Sequence, residues 1–271
     1  MRSPRKLAVV IGAGALASCS QPSADAPPAD PFAGTWVDLT HTLDENSVFW
    51  PTADGYRHDE VAHGDTPGGY FYSSYNISLS EHGGTHLDAP EHFAKGRQTA
   101  DQIPLGSLIG PAAVIDVSEA SAADRDYRFT REDVLSWEEA NGPLPEGAIV
   151  LFRTGFGEYW PDREKYMGTA LRGDAGVVEL HFPGLSEDVA TMLAEERKIA
   201  AVGLDTPSLD YGQSSDFIAH RILLDRNIPG FENVANLEEL PAKGAHVIAL
   251  PTKIGKGSGA PLRIVALVPE S

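Results

Sequence analysis

One cysteine, Cys19, is found among the 271 residues. That single thiol excludes an intrachain disulfide and any metal site built from several thiolates. Basic side chains are also scarce, with 21 Lys and Arg against 39 Asp and Glu and a formal net charge of −18. A surface of that sign repels phosphate backbones and anionic headgroups, so nucleic-acid binding is not expected. The charge is dispersed along the chain and reads as solubility. No apolar run is long enough to cross a bilayer. There is no Gly-x-Ser-x-Gly elbow, which argues against a serine nucleophile of that kind. No internal repeat is evident.

The first residues read as an address. Arg2, Arg5 and Lys6 precede a short apolar run, Leu7 to Leu16, and Leu16-Ala17-Ser18-Cys19 is similar to a bacterial lipoprotein signal box. The expectation is a signal peptide over 1–18, cleaved so that Cys19 becomes the lipidated N-terminus. Residues 19–33, rich in Pro, Ala and Asp, then read as a flexible tether. This predicts a cell-envelope protein, exported and facing the periplasm or exterior, that touches the membrane only through its lipid. An ordinary secretory signal cleaved nearby is the alternative. Residues 34–271 are expected to form one folded domain.

Apolar, β-rich runs at Ala112–Val117, Ala148–Arg153, Ala200–Leu204, His246–Leu250 and Arg263–Val268 predict buried strands. Asn76 to Ser80 alternates polar and apolar and runs into a histidine-rich segment. Helices are predicted over Thr130–Asn141, where Thr130 and Asp133 have capping-box spacing, over Ser186–Lys198, and over Phe217–Arg226. Interspersed strands and helices indicate an α/β domain.

The richest segment is His82-Gly83-Gly84-Thr85-His86-Leu87-Asp88-Ala89-Pro90-Glu91-His92. Three imidazoles and a carboxylate within eleven residues are divalent-metal ligand types, and histidine numbers only nine in the whole chain. Gly83, Gly84 and Pro90 oppose a helix, so extended backbone entering a turn is expected. On a strand His86 and Asp88 share a face, with His82 further back on the same face. Downstream, His220 lies in an apolar helical run and Glu232 twelve positions later. On composition His220 reads as a core histidine, and nothing local marks Glu232 as a ligand.

Together these segments resemble the metal-dependent cyclase family, which includes bacterial kynurenine formamidases and isatin hydrolases. The resemblance starts at Val37-Asp38-Leu39-Thr40-His41 and Phe49-Trp50-Pro51 and continues through the histidine motif, Arg153-Thr154-Gly155 and Gly203-Leu204-Asp205-Thr206. It closes with His220, Glu232, Leu250-Pro251-Thr252-Lys253-Ile254 and Gly257-Ser258-Gly259-Ala260-Pro261-Leu262-Arg263. It implies a single domain of the swivelling β/α type, with a mixed central sheet and flanking helices. It implies His82, His86 and Asp88 as ligands of a first metal, with Asp88 bridging to a second held by His220 and Glu232. Zn or Mn, as one or two ions, is the implied cofactor. His92 matches the family's catalytic histidine, and Phe49 and Trp50 look like a substrate-pocket wall.

The implied reaction is hydrolysis of an amide-type C–N bond, in an N-formyl anilide or cyclic amide of a small aromatic substrate, by metal-activated water. Two other readings stay open: a hydrolase of a lactone or small cyclic ester, and a lipid-anchored metal- or solute-binding protein without turnover. A homodimer or homotetramer is the implied assembly. Thr52, in place of a glycine after Trp50-Pro51, and Phe231, in place of an aliphatic residue before Glu232, depart from the family pattern and bear on the substrate. His41, His58, His63, His181 and His246 read as structural or solvated.

Overall fold

The computed structural model describes residues 30–270. The expected signal segment, Cys19 and the tether up to residue 29 therefore lie outside the described residues. Gly34–Ser271 cluster as one compact unit by themselves.

The described residues form twelve strands: β1 (Thr35–Asp38), β2 (Arg57–Asp65), β3 (Phe71–Ser78), β4 (His86–Asp88), β5 (Ile109–Asp116), β6 (Arg128–Phe129), β7 (Ile149–Arg153), β8 (Gly184–Leu185), β9 (Ala201–Leu204), β10 (Gly230–Glu232), β11 (Lys243–Pro251) and β12 (Gly259–Val268). Eight of them form one mixed sheet in the order β1-β12-β11-β5-β7-β9-β10-β4. Its centre, β5-β7-β9-β10, is parallel, and the flanks are antiparallel. The sheet then closes on itself, because β4 pairs with β10 on one side and with the first residues of β12 on the other. All five predicted buried strands are present. Barrel closure was not readable from the pattern, since it depends on the three-residue β4.

The apolar runs of β5, β7 and β9 are buried on both faces, as parallel strands covered on both sides must be. Alternate residues sort to opposite sides. Val114, Ile149, Leu151 and Ala201 point into the barrel with Leu87, Phe231, Val247 and Ile264. Ile115, Val150, Phe152, Val202 and Leu204 point outward and are covered by Val134, Trp137, Val189, Leu193, Ala219 and Leu223 from the helices.

The helix Arg131–Asn141 starts as its sequence predicts, with Thr130 and Asp133 completing a reciprocal capping box. The second predicted helix is divided: Ser186 caps an α-helix at Glu187–Thr191, and Met192–Glu196 widens into a π-helical stretch. The third is Ile218–Asp225, entered through Phe217 in a left-handed conformation.

Strands β2 and β3 pair only with each other, as an antiparallel hairpin outside the barrel. Val61, Phe71, Tyr72 and Ile77 on it are exposed. The predicted strand at Asn76–Ser80 belongs to this hairpin and stops at Ser78. A bend over the following residues separates it from the histidine segment.

Candidate active site

β4 carries His86 and Asp88 on one face, both buried. The antiparallel register sets Glu232 of β10 directly opposite His86. Strand pairing, invisible in the local sequence, is what brings this glutamate to the site. His82 arrives differently from the expectation: it lies in a bend before the strand, not along it. Gly84, at φ 61°, turns the chain so that the His82 ring folds back on the strand. Gly259 leaves room for that return, because a Cβ there would stand 2.5 Å from His82 Cε1.

The side chains converge on Asp88. Its Oδ1 lies 2.6 Å from His82 Nδ1 and 3.3 Å from His86 Nε2, and its Oδ2 lies 2.9 Å from His220 Nε2. Glu232 stands 3.1 Å from His220 Nε2 and 3.4 Å from His86 Nε2. Two overlapping sets, His82 with Asp88 and His92, and His86 with Asp88 and Glu232, have ligand atoms close enough to hold an ion. The structure thus brings together all six residues named from the sequence. It also adds His92 to a possible ligand set.

Residues behind these six orient them. His220 Nδ1 faces the buried Asp210 carboxylate at 2.6 Å, leaving Nε2 for the site. His86 Nδ1 donates to the Gly84 carbonyl at 3.0 Å. Ser258 donates to Glu81 at 2.7 Å, so its oxygen can accept from His82 Nε2 at 3.0 Å. Asn233, next to Glu232, donates to the same Gly84 carbonyl and accepts from the buried Tyr166 hydroxyl. Sequence reasoning gave none of Asp210, Ser258, Glu81 or Asn233 a role of its own, although Asp210, Ser258 and Asn233 lie in segments it drew on. Asp210 stands ten residues from its histidine, and no local pattern marks that distance.

Burial by itself disfavours every charge here, and the partners decide the outcome. For Asp88, burial pushes upward, but His82, His92 and the hydrogen bond from His220 hold the carboxyl well below its usual range. Burial and the neighbouring Asp88 carboxylate raise Glu232. Burial would lower His86 and His220, yet both are raised, His86 by Asp88 and Glu232 and His220 by Asp210, Asp88 and Glu232. His92 behaves oppositely: burial lowers it to about 4, only partly opposed by Asp88. Its ring is neutral at neutral pH and stacks on His82 with centroids 3.8 Å apart.

The donor set fits a divalent cation. His86 Nε2 is buried and has no hydrogen-bond partner, although two carboxylates stand within 3.4 Å of it. An imidazole whose other nitrogen is committed to a carbonyl, facing carboxylates and further histidines, is a metal-ligand arrangement.

These residues floor a cavity of about 260 Å³. Phe49, Trp50, Phe93, Phe217 and Pro207 form its apolar walls, and among the described residues no lysine or arginine lines it. Phe49 and Trp50 were expected there; Phe93 and Phe217 were not. Phe93 directly follows His92, and Phe217 opens the helix that carries His220.

The Cyclase family model matches residues 37–211. An isatin hydrolase from Roseibium aggregatum is 34% identical over 220 residues, covering 78% of this chain and 81% of the relative. A kynurenine formamidase from Salinibacter ruber is 31% identical over 236 residues, covering 84% and 95%. Among solved structures, isatin hydrolase A from Labrenzia aggregata bound to benzyl benzoate superposes with a TM-score of 0.79. It is 36% identical and covers 87% of this chain and 94% of its own. The chain belongs to the Cyclase family and is a metal-dependent hydrolase.

Proposed function

We propose that the protein hydrolyses the amide C–N bond of a small, flat, uncharged aromatic substrate, a cyclic amide of the isatin type, with His82, His86, Asp88, His220 and Glu232 holding the metal and His92 handling the proton. The observation that carries this reading is the unbonded His86 Nε2, buried among carboxylates at the floor of an aromatic-walled cavity. A divalent cation held there supplies Lewis acidity, which lowers the pKa of water toward ~7 and polarises a carbonyl. Zn²⁺ or Mn²⁺, as one ion or two, would suit the nitrogen and oxygen donors of these residues.

The chain's own residues do the rest. Aromatic walls hold a planar ring and exclude water from the reacting carbonyl. His92, neutral because it is buried, accepts a proton from the attacking water and returns it to the leaving nitrogen. Asp210 and Ser258 keep the other nitrogens of His220 and His82 occupied. Among the described residues no lysine or arginine lines the cavity, which favours the cyclic amide over N-formylkynurenine, because an amino-acid headgroup would meet no basic side chain there. The reading of a capture protein without turnover is set aside by the hydrolase relatives. Lactone hydrolysis remains an outcome of the assay.

The test is turnover of isatin and N-formylkynurenine by protein lacking residues 1–18, stripped of metal and reloaded with Zn²⁺ or Mn²⁺. Metal-restored cleavage of isatin supports the proposal. Tight metal binding with neither compound cleaved overturns the substrate assignment and directs the search to lactones.

Export and lipid attachment at Cys19 are part of the same proposal, supported by the signal-like segment alone. Palmitate labelling that disappears in Cys19→Ser tests it. Self-association as a homodimer or homotetramer is supported by the apolar residues exposed on the β2–β3 hairpin, and light scattering of the purified protein tests that.

A further inference from the structure

Phe217 is a bulky residue at φ 51° and ψ 44°, in the left-handed region. A side chain with a Cβ is strained in that backbone, and Phe is not a residue that visits it routinely. Such an outlier persists only where its surroundings over-determine it, and outliers of this kind cluster at ligand clamps. The surroundings here are specific. The Phe217 N–H donates to Ser214 Oγ at 3.2 Å. The next free helix N–H groups, of Ala219 and His220, donate to Asp210 at 2.9 and 3.2 Å. Asp210, which aims His220, therefore also caps this helix from seven residues before Phe217, and the chain enters the first turn through a left-handed step.

That step turns the Phe217 ring into the cavity. Its centroid lies 5.1 Å from Phe93 and 6.3 Å from Trp50, and the Trp50 and Phe217 planes are tilted by 58°. An asparagine or glycine would satisfy the same backbone at lower cost, so the strain is explained by the ring and not by the turn.

We infer that Phe217 is a specificity-determining residue: held in a strained backbone by the Ser214 and Asp210 hydrogen bonds, its ring forms with Phe93 and Trp50 the wall that selects flat aromatic substrates. The inference rests on the proposed hydrolysis for its kinetic test and on ligand binding alone for its second test. Contacts of a ring with such a wall act on the bound substrate, so they fall on KM more than on kcat.

Two variants separate the ring from the strain. Phe217→Asn removes the ring and tolerates the left-handed backbone; Phe217→Leu removes the ring and keeps the strain. In both, KM for isatin is expected to rise about tenfold with kcat within about threefold. The ratio of kcat/KM for isatin to that for succinimide, a non-aromatic cyclic imide, is expected to fall about tenfold. The Asn variant is expected to melt a few degrees above the Leu variant, so selectivity and stability part company. Equal losses on both substrates, or a selectivity that follows the melting temperature, overturn the inference. If the wild-type holoenzyme cleaves neither compound, the hydrolysis reading has failed, and calorimetric titration with indole, which has no scissile bond, decides this point. About tenfold weaker indole binding in both variants upholds the wall, and unchanged binding overturns it.

Discussion

The carboxylate of Asp210 lies 2.6 Å from His220 Nδ1 while also accepting the N–H groups of Ala219 and His220. One buried side chain thus caps a helix and fixes the direction of the imidazole it begins with. Carboxylates placed behind a ligating histidine set both its tautomer and its basicity. Asp210→Asn keeps the shape but exchanges an acceptor for an amide. Metal affinity is expected to fall about 10–100-fold, measured by competition with a chelator. An unchanged affinity would show that His220 is not a ligand.

His92 lies close enough to His82 and Asp88 to join a ligand set, and its neutral ring suits either a ligand or a proton acceptor. As the proton carrier, it is expected to be dispensable for metal content and required for rate. His92→Ala should retain its metal by elemental analysis and lose about 10²–10⁴-fold in kcat. Loss of metal in this variant would make His92 a ligand and leave the proton without a carrier.

Acid should empty the centre. His86 and His220 are raised above the ordinary histidine value by their carboxylate neighbours, and only their deprotonated forms bind metal. Protons therefore compete with metal from higher pH than they would at an ordinary histidine. Metal retention during stepwise acidification, with the released ion measured, is expected to be complete on the alkaline side and lost as pH falls. Retention unaffected down to pH 4 would contradict the assigned ligands.

His41 gives a second, separable pH effect. It stacks on Trp160 with centroids 4.3 Å apart, and burial lowers it from 6.5 to about 4. The unfolded chain therefore takes up this proton first as pH falls. The contribution of His41 to stability is full above about pH 6.5 and declines from there toward pH 4. Denaturant titrations of metal-free protein should show a slope in that window, flattened in His41→Phe. An equal slope in the variant would assign the dependence to other groups.

Gly83 has no room for a side chain, because a Cβ there would fall within the ring of Phe49. Gly83→Ala must displace a cavity wall that is itself fully buried. A loss of about 1–3 kcal/mol in unfolding free energy is expected, with a raised KM. A variant as stable and active as the parent would show that Phe49 moves freely.

What was legible in the sequence follows the range of the forces involved. Apolar runs such as Ile149–Arg153 and the Thr130–Asp133 capping box are local signals, and the structure forms them where they were read. His86 and Asp88 were readable because a two-residue spacing on a strand fixes a shared face. Glu232 was not readable from its neighbours, since its reason for being at the site is its register opposite His86. The roles of Asp210, Ser258 and Phe217, though each lies in a segment the sequence pointed to, were missed on similar grounds. Each acts through a partner far along the chain or through a backbone angle that no periodicity reports. The left-handed turn at Gly84, which moves His82 off the expected strand face, belongs with them.

β4 is only three residues long, yet it is hydrogen-bonded along both sides, to β10 and to β12. It is the keystone of the barrel, and it carries two of the residues on which the ion would rest. A keystone cannot be worked loose by fraying, because it has no free edge and no terminus. His86 and Asp88 are therefore held in place by backbone pairing on both sides and not by an ion. Moving His86 or Asp88 out of the centre means opening the barrel at β4, whereas His82 and His220 are set by a bend and a helix outside the sheet.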